Sequence, residues 1–252
     1  ALRAKEVNEM FANAEIDGIF CIRGGYGATR ILPMLDLELI SNNPKVFAGY
    51  SDVTALHTVF NQICGFVTYH TPMPSTEFIK ENMDEYTWEY FIKSVTNTNW
   101  SDYLLENAKD DPLETLVSGA ATGQLVGGNL TLVTASLGTP FEIDLKGKIL
   151  FLEDIDENVQ RIDRMLTQLS TSGKLNELAG ILLGGWTDCG PMDAKNPENN
   201  LDLITVFEEI LAPLNIPILM NVTCGHMLPT MSLPLGKTIT MDATNKTIRV
   251  VG

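Results

Sequence analysis

A serine lies on a sharp strand-to-helix turn in the run Lys45-Val46-Phe47-Ala48-Gly49-Tyr50-Ser51-Asp52-Val53-Thr54. Val46 to Ala48 read as the end of a buried strand, Gly49 permits a tight backbone, and a helical pattern begins at Asp52. Such an elbow exposes one side chain at the carboxyl end of a sheet, where open α/β folds place their active sites. A second elbow precedes it by about one βα unit: Gly18-Ile19-Phe20-Cys21-Ile22 breaks into Arg23-Gly24-Gly25-Tyr26-Gly27. One elbow offers a hydroxyl and the other bare backbone N–H groups. A nucleophile beside an oxyanion hole is the equipment of acyl transfer.

A serine nucleophile needs a base, and the chain has three histidines. His57 lies two turns into the helix after Ser51 and points away from the elbow, as a core or helix-surface residue. His70 ends a strand before Thr71-Pro72 and can reach the same sheet edge, in an orienting role. His226 is best placed, in a glycine-flanked loop after an apolar strand. The base in turn needs a carboxylate to hold its tautomer. Glu153 closes the strand Ile149-Leu150-Phe151-Leu152, but Asp154, Asp156 and Glu157 follow at once, and spacing does not separate them. Two other chemistries find less support. The Gly24-Gly25 turn lacks the G-x-G-x-x-G and G-K-[ST] patterns of phosphate loops. Cys224-x-His226 with Cys189 lacks a fourth ligand and the spacing of a zinc site, so no metal or other cofactor is expected.

The first ~115 residues alternate helix and strand, the pattern of βαβ units on a parallel sheet. Helices are expected over 3–13, 28–35 (broken near Pro33), 36–41, 52–63 and 86–95. Strands are expected over 16–22, 46–48 and 66–70. The polar, turn-rich stretch after Asn97 reads as a linker, giving an N-terminal domain 1–96, a linker 97–117 and a C-terminal domain 118–252. In the second half, strands are expected over 148–153, 179–183 and 217–222, and helices over 130–137, 159–169 and 201–211. A closing hairpin runs from 237 to 251, turning at 243–246.

The 252 residues are 44% hydrophobic and 19% charged, a globular composition. A net charge of −15 excludes the basic face that nucleic acids require. No apolar run reaches the ~18 residues of a membrane span. Four cysteines without a C-x-x-C pair fit a reducing cytoplasm.

Taken together, Ile22-Arg23-Gly24-Gly25-Tyr26-Gly27, Asn43-Pro44-Lys45-Val46-Phe47 and Gly49-Tyr50-Ser51-Asp52-Val53-Thr54-Ala55-Leu56-His57 resemble the LD-carboxypeptidase family of serine peptidases. Gly127-Gly128-Asn129-Leu130, Ile149 to Asp154, Arg161 to Leu166 and Cys224-Gly225-His226 resemble that family's later blocks, in the same order. The resemblance implies a Rossmann-like parallel-sheet N-terminal domain and a smaller β-rich α/β C-terminal domain, with the site in the cleft between them. It implies a triad of Ser51, Glu153 and His226 and an oxyanion hole from the N–H groups of Gly25 and Asp52. Arg23, Tyr26, His70 and Trp186 are the expected substrate contacts. The implied reaction is removal of terminal D-alanine from cytoplasmic murein tetrapeptides during wall recycling, by a homodimer. A sister branch cleaves an aminoacyl-nucleotide antibiotic and confers immunity. The Arg161-Ile162-Asp163-Arg164 helix resembles the recycling branch, whereas Trp186 could stack on a base. A non-catalytic peptide-binding protein is the alternative of another class. Two departures stand out: Thr71 replaces a usual glycine, and the family carries roughly 70 residues before the position of Ala1.

Overall fold

The computed structural model describes residues 1–81, 83–97, 100, 102–192, 195–196 and 201–251. The first half builds helix α1 (Leu2–Ala12), strand β1 (Gly18–Phe20), the short helices α2 (Ala28–Ile31) and α3 (Leu37–Asn42), β2 (Val46–Gly49), α4 (Thr54–Gln62), β3 (Thr68–His70) and α5 (Glu85–Thr96). Strands β1, β2 and β3 pair in parallel, as the alternation of apolar strands and amphipathic helices requires. Pro33 falls in a 3-10 turn, Leu32–Met34, that ends α2. The expected helix over 28–35 is therefore two pieces, because proline cannot continue the α-helical hydrogen bonding.

The second half adds β4 (Tyr103–Leu105), β5 (Glu114–Val117), β6 (Ala120–Asn129), α6 (Leu130–Ala135), β7 (Ile149–Ile155), α7 (Val159–Thr171), β8 (Gly180–Thr187), α8 (Leu203–Ile210), β9 (Ile218–Met220), β10 (Leu233–Leu235), β11 (Thr238–Asp242) and β12 (Thr247–Val250). An eight-stranded sheet runs β4-β12-β11-β6-β7-β8-β9-β5. Its centre, β6 to β9, is parallel. Strands β11, β12 and β4 on one side and β5 on the other pair antiparallel.

Two expectations about organisation need correction. The segment 97–117, expected as a linker, supplies two edge strands of the large sheet, β4 and β5; its residues 98, 99 and 101 lie outside the described residues. The boundary is also crossed from the far side. Strand β10 leaves the second half and pairs antiparallel with β3, Leu233 opposite His70. Its Pro234 is tolerated because β10 is the edge of that sheet.

Strand alternation divides the core of the large sheet between two faces. Leu125, Ile149, Phe151 and Leu182 pack on the face that also takes Leu233 and Leu235. Val126, Leu150, Leu152, Ile181 and Leu183 pack on the other, against Ile162, Leu166 and Leu169 of α7. The first half has its own core, with Phe11, Phe47, Phe60 and Phe66 clustered edge-to-face and stacked. Phe60 is fully buried at the centre of that cluster and anchors α4, the helix that continues from the Ser51 turn. Phe60→Ala is expected to cost about 3–5 kcal/mol. A lower urea midpoint with an unchanged slope will register it; a loss under 1 kcal/mol would refute this account of the anchor.

Candidate active site

The site assembles at the carboxyl ends of parallel strands from both sheets. Strand β2 delivers Ser51 through an extended Tyr50 into a 3-10 turn, Ser51–Val53, that leads into α4. Ser51 itself has φ +66°, a conformation that costs a non-glycine residue energy and persists only where its surroundings enforce it. Those surroundings are specific. The carboxylate of Asp52 accepts a hydrogen bond from the Ala28 N–H at 2.9 Å, tying one elbow to the other. Gly24 packs so closely on Ser51 that a Cβ there would stand 2.7 Å from the serine Cβ. His57 is fully buried and donates from Nε2 to the Gly49 carbonyl at 2.9 Å, while its Nδ1 accepts from Thr68 at 2.8 Å. Burial holds its pKa down at about 3, so it remains a neutral brace for the strand end.

The second half supplies the partners. Ser51 Oγ lies 2.9 Å from His226 Nε2. His226 Nδ1 lies 2.6 Å from Glu153 Oε2. Glu153 lies on β7 on the face occupied by Ile149 and Phe151, which is the face turned toward the first half. Asp154, on the opposite face, accepts instead from Asn129 Nδ2 at 2.7 Å and from the Thr131 backbone and hydroxyl at 3.0 and 2.9 Å. The strand period thus separates two adjacent acids that spacing along the chain left equivalent. Thr187 donates to the His226 carbonyl at 2.6 Å, and the Tyr50 ring lies 4.6 Å from the imidazole, fixing the histidine loop from two sides.

These contacts set the charges. Burial works to raise the Glu153 pKa, but the hydrogen bond from His226 and the nearby His70 outweigh it and hold the carboxyl below its usual range. Burial works to lower the His226 pKa, and the Glu153 carboxylate overcomes it, so the imidazole titrates above its ordinary value. A hydroxyl, a base and a buried carboxylate in a continuous hydrogen-bonded line have the geometry for nucleophilic acyl transfer.

The profile of the LD-carboxypeptidase N-terminal domain matches residues 1–71, and that of the LD-carboxypeptidase C-terminal domain matches residues 122–241. A probable murein peptide carboxypeptidase of Bacillus subtilis is 41% identical over 245 residues, which is 97% of this chain and 75% of that protein. The chain belongs to the LD-carboxypeptidase family. Within the family, the microcin C7 self-immunity protein MccF of Escherichia coli is 30% identical over 98% of this chain and 77% of its own length. Solved MccF in complex with glutamyl sulfamoyl guanosine superimposes with a TM-score of 0.88 at 28% identity, covering 99% of this chain and 80% of that one. The muramoyltetrapeptide carboxypeptidase of Oxalobacter formigenes superimposes at 0.85, also at 28% identity, covering 99% and 82%.

The other expected family residues fall in different places. Arg23 is exposed, and Gly25 and Tyr26 are open on the same loop, with Gly25 at φ +115°. His70 does not face the open side. It is 2% exposed and lies behind Glu153, so the structure corrects its expected place at the substrate. Trp186 packs against Phe207, ring centroids 5.1 Å apart, and lines a cavity of about 330 Å³ with Met227. Tyr50 and Glu77 were not singled out in the sequence. The Tyr50 hydroxyl donates to the buried Glu77 at 2.9 Å; a tyrosine adjoining Ser51 was the available signal. Among the described residues, no group of three or more His, Cys, Asp or Glu is placed to hold a metal ion, and no helix is long and apolar enough to cross a membrane.

The pH behaviour of His226 follows from these causes. Its NMR titration midpoint is expected above the ordinary value of about 6.5. Replacing Glu153 by Gln removes the largest influence that raises it and leaves burial opposed by the charges of Asp154 and Glu77, so the midpoint should fall from that of the wild type. An unchanged midpoint in Glu153→Gln would separate the carboxylate from the base.

Proposed function

We propose that this chain is a serine carboxypeptidase that removes the terminal D-alanine of murein tetrapeptides, cleaving an amide between an L-centre and a D-residue in the cytoplasm. The observation that carries the reading is the unbroken line Ser51–His226–Glu153, at 2.9 and 2.6 Å, drawn from both halves of a chain that is 41% identical to a probable murein peptide carboxypeptidase.

The steps follow from the geometry. With the imidazole neutral, His226 Nε2 accepts the Ser51 proton as Oγ attacks the scissile carbonyl. Glu153 stabilises the imidazolium that forms and keeps Nδ1 protonated. The N–H groups of Gly25 and Asp52, at the two elbows, would receive the developing oxyanion. His226 then returns the proton to the leaving D-alanine nitrogen, and water repeats the sequence on the acyl-enzyme. A carboxypeptidase must also recognise a free carboxylate. Arg23, exposed beside Gly24, presents the planar fork that pairs with one in two parallel hydrogen bonds, and Tyr26 stands on the same loop.

The likeness to MccF supports a second reading, hydrolysis of an aminoacyl nucleotide by the same serine. Here Trp186 would be a nucleotide contact, a role set against its packing on Phe207.

Mass spectrometry of the wild type with murein tetrapeptide is expected to show loss of one alanine. Ser51→Ala should lower the rate by roughly 10⁴-fold or more while unfolding at the wild-type temperature, since a triad member acts in the transition state and an elbow serine adds little packing. An intact tetrapeptide alongside a cleaved aminoacyl sulfamoyl nucleotide selects the second reading. A Ser51→Ala protein with wild-type turnover rejects both.

A further inference from the structure

Glu153 is fully buried and uses only one of its two oxygens. Oε2 meets His226; Oε1 has no hydrogen-bond partner. The atom facing Oε1 is His70 Nε2, 3.9 Å away, which is also buried and also unbonded. That separation exceeds a hydrogen bond. Neither atom has a competing partner. On the far side of the ring, His70 Nδ1 lies 3.5 Å from the Cys224 thiol, itself fully buried.

We propose that His70 is a positioning residue for Glu153, donating from Nε2 to the oxygen that His226 leaves unused, with the Cys224 thiol fixing the tautomer that allows it. With the imidazole neutral, the proton count permits one consistent arrangement. A neutral imidazole carries a single N–H. If it sat on Nδ1, the Nε2 lone pair would face a carboxylate oxygen, which is repulsive. With the proton on Nε2, Nδ1 becomes an acceptor for the Cys224 S–H. That thiol stays protonated, because burial first and Glu153 second push its pKa far up. The line then runs from thiol to His70, from His70 to Glu153, from His226 to the other carboxylate oxygen, and from Ser51 to His226, with each proton placed once. The remaining groups facing His70 are Tyr50, whose ring is 5.5 Å away, Phe151, edge-on at 5.3 Å, and His57, which burial keeps neutral.

Two donors on a carboxylate fix its plane as well as its charge, whereas a single donor leaves it free to swing. The role therefore belongs to the chemical step and not to substrate binding, and it rests on the serine-peptidase reading above. His70→Leu is expected to lower kcat by about 10- to 100-fold, by analogy with partners that orient metal-binding side chains from behind, with KM unchanged. His70→Gln, which retains an N–H at the same reach, should recover most of that loss. Nitrogen NMR of the wild type should show His70 as the Nε2–H tautomer and neutral His226 as the Nδ1–H tautomer. Should His70→Leu fail to fold, the wild-type tautomer measurement and the His70→Gln variant decide the proposal. A His70 proton on Nδ1, or a Gln variant as slow as the Leu variant, overturns the proposal. A wild type that leaves murein tetrapeptide intact overturns the function reading instead, and the tautomer measurement still decides the role of His70.

Discussion

A carboxylate with no exposure to water is the constraint around which this molecule is arranged. Withdrawing an ion of that size from solvent costs several kcal/mol even after the protein relaxes. Glu153 tolerates it because imidazoles stand on both sides, one at 2.6 Å and one at 3.9 Å. The nearer comes from the loop after β9 in the same half and the farther from the end of β3, so the carboxylate has an imidazole from each half beside it. The loop can pass over the carboxylate because residue 225 is glycine. It holds φ +133°, and a Cβ there would lie 3.0 Å from the Glu153 Cβ and 3.1 Å from Oε2.

The seam between the halves is correspondingly built from directed contacts as well as apolar area. Strand β10 crosses it to pair with β3. The Asn61 amide donates to the Leu235 carbonyl and to Thr68, whose hydroxyl in turn braces His57. Asn129, at the end of β6, donates its N–H to Thr54 in the first turn of α4. The Thr230 N–H donates to Thr87 of α5. Hydrogen bonds of this kind add little net energy each, but they have angular preferences that apolar packing lacks. That is what a hydroxyl and a base on separate sheets need if they are to stay 2.9 Å apart.

The parts of this design that use long, periodic elements were legible in the residues. Helices α1, α4, α5 and α7 lie within about two residues of their expected bounds, and the two elbows follow from strand-glycine-helix transitions. What escaped were the short strands. Tyr103–Leu105 and Leu233–Leu235 have three residues each, too few to show alternation, and Glu114–Val117 begins in a polar stretch. The longest strand, Ala120–Asn129, was also unmarked, because its Gly123, Gly127 and Gly128 erase the apolar pattern. Those glycines have a packing reason: at Gly127, with φ +112°, a Cβ would stand 2.2 Å from the Phe151 carbonyl of β7. His70 was misplaced for a related reason. Its position at a strand end was read correctly, but its burial depends on what packs over that face, and here the cover comes from Phe151, Glu153 and Cys224, far away in the chain.

The choice between Glu153 and its neighbours was open to a finer reading. In Ile149-Leu150-Phe151-Leu152-Glu153-Asp154 every apolar residue is buried, so hydrophobicity does not say which face is which. Parity does say that Glu153 and Asp154 must part. The structure then gives the two acids opposite environments. Glu153 meets an imidazole and is held ionised; Asp154 meets Asn129 and Thr131, where burial and then the charge of Glu153 beside it push its pKa up. Its neighbours on that face are neutral donors, which stabilise a carboxylate less than an imidazolium does. His226 therefore has its carboxylate partner on one face of β7 only. Sliding β7 by a single residue would turn Glu153 to the opposite face, away from His226. Register in β7 accordingly decides which acid meets His226, and it is held by parallel pairing to β6 on one side and β8 on the other.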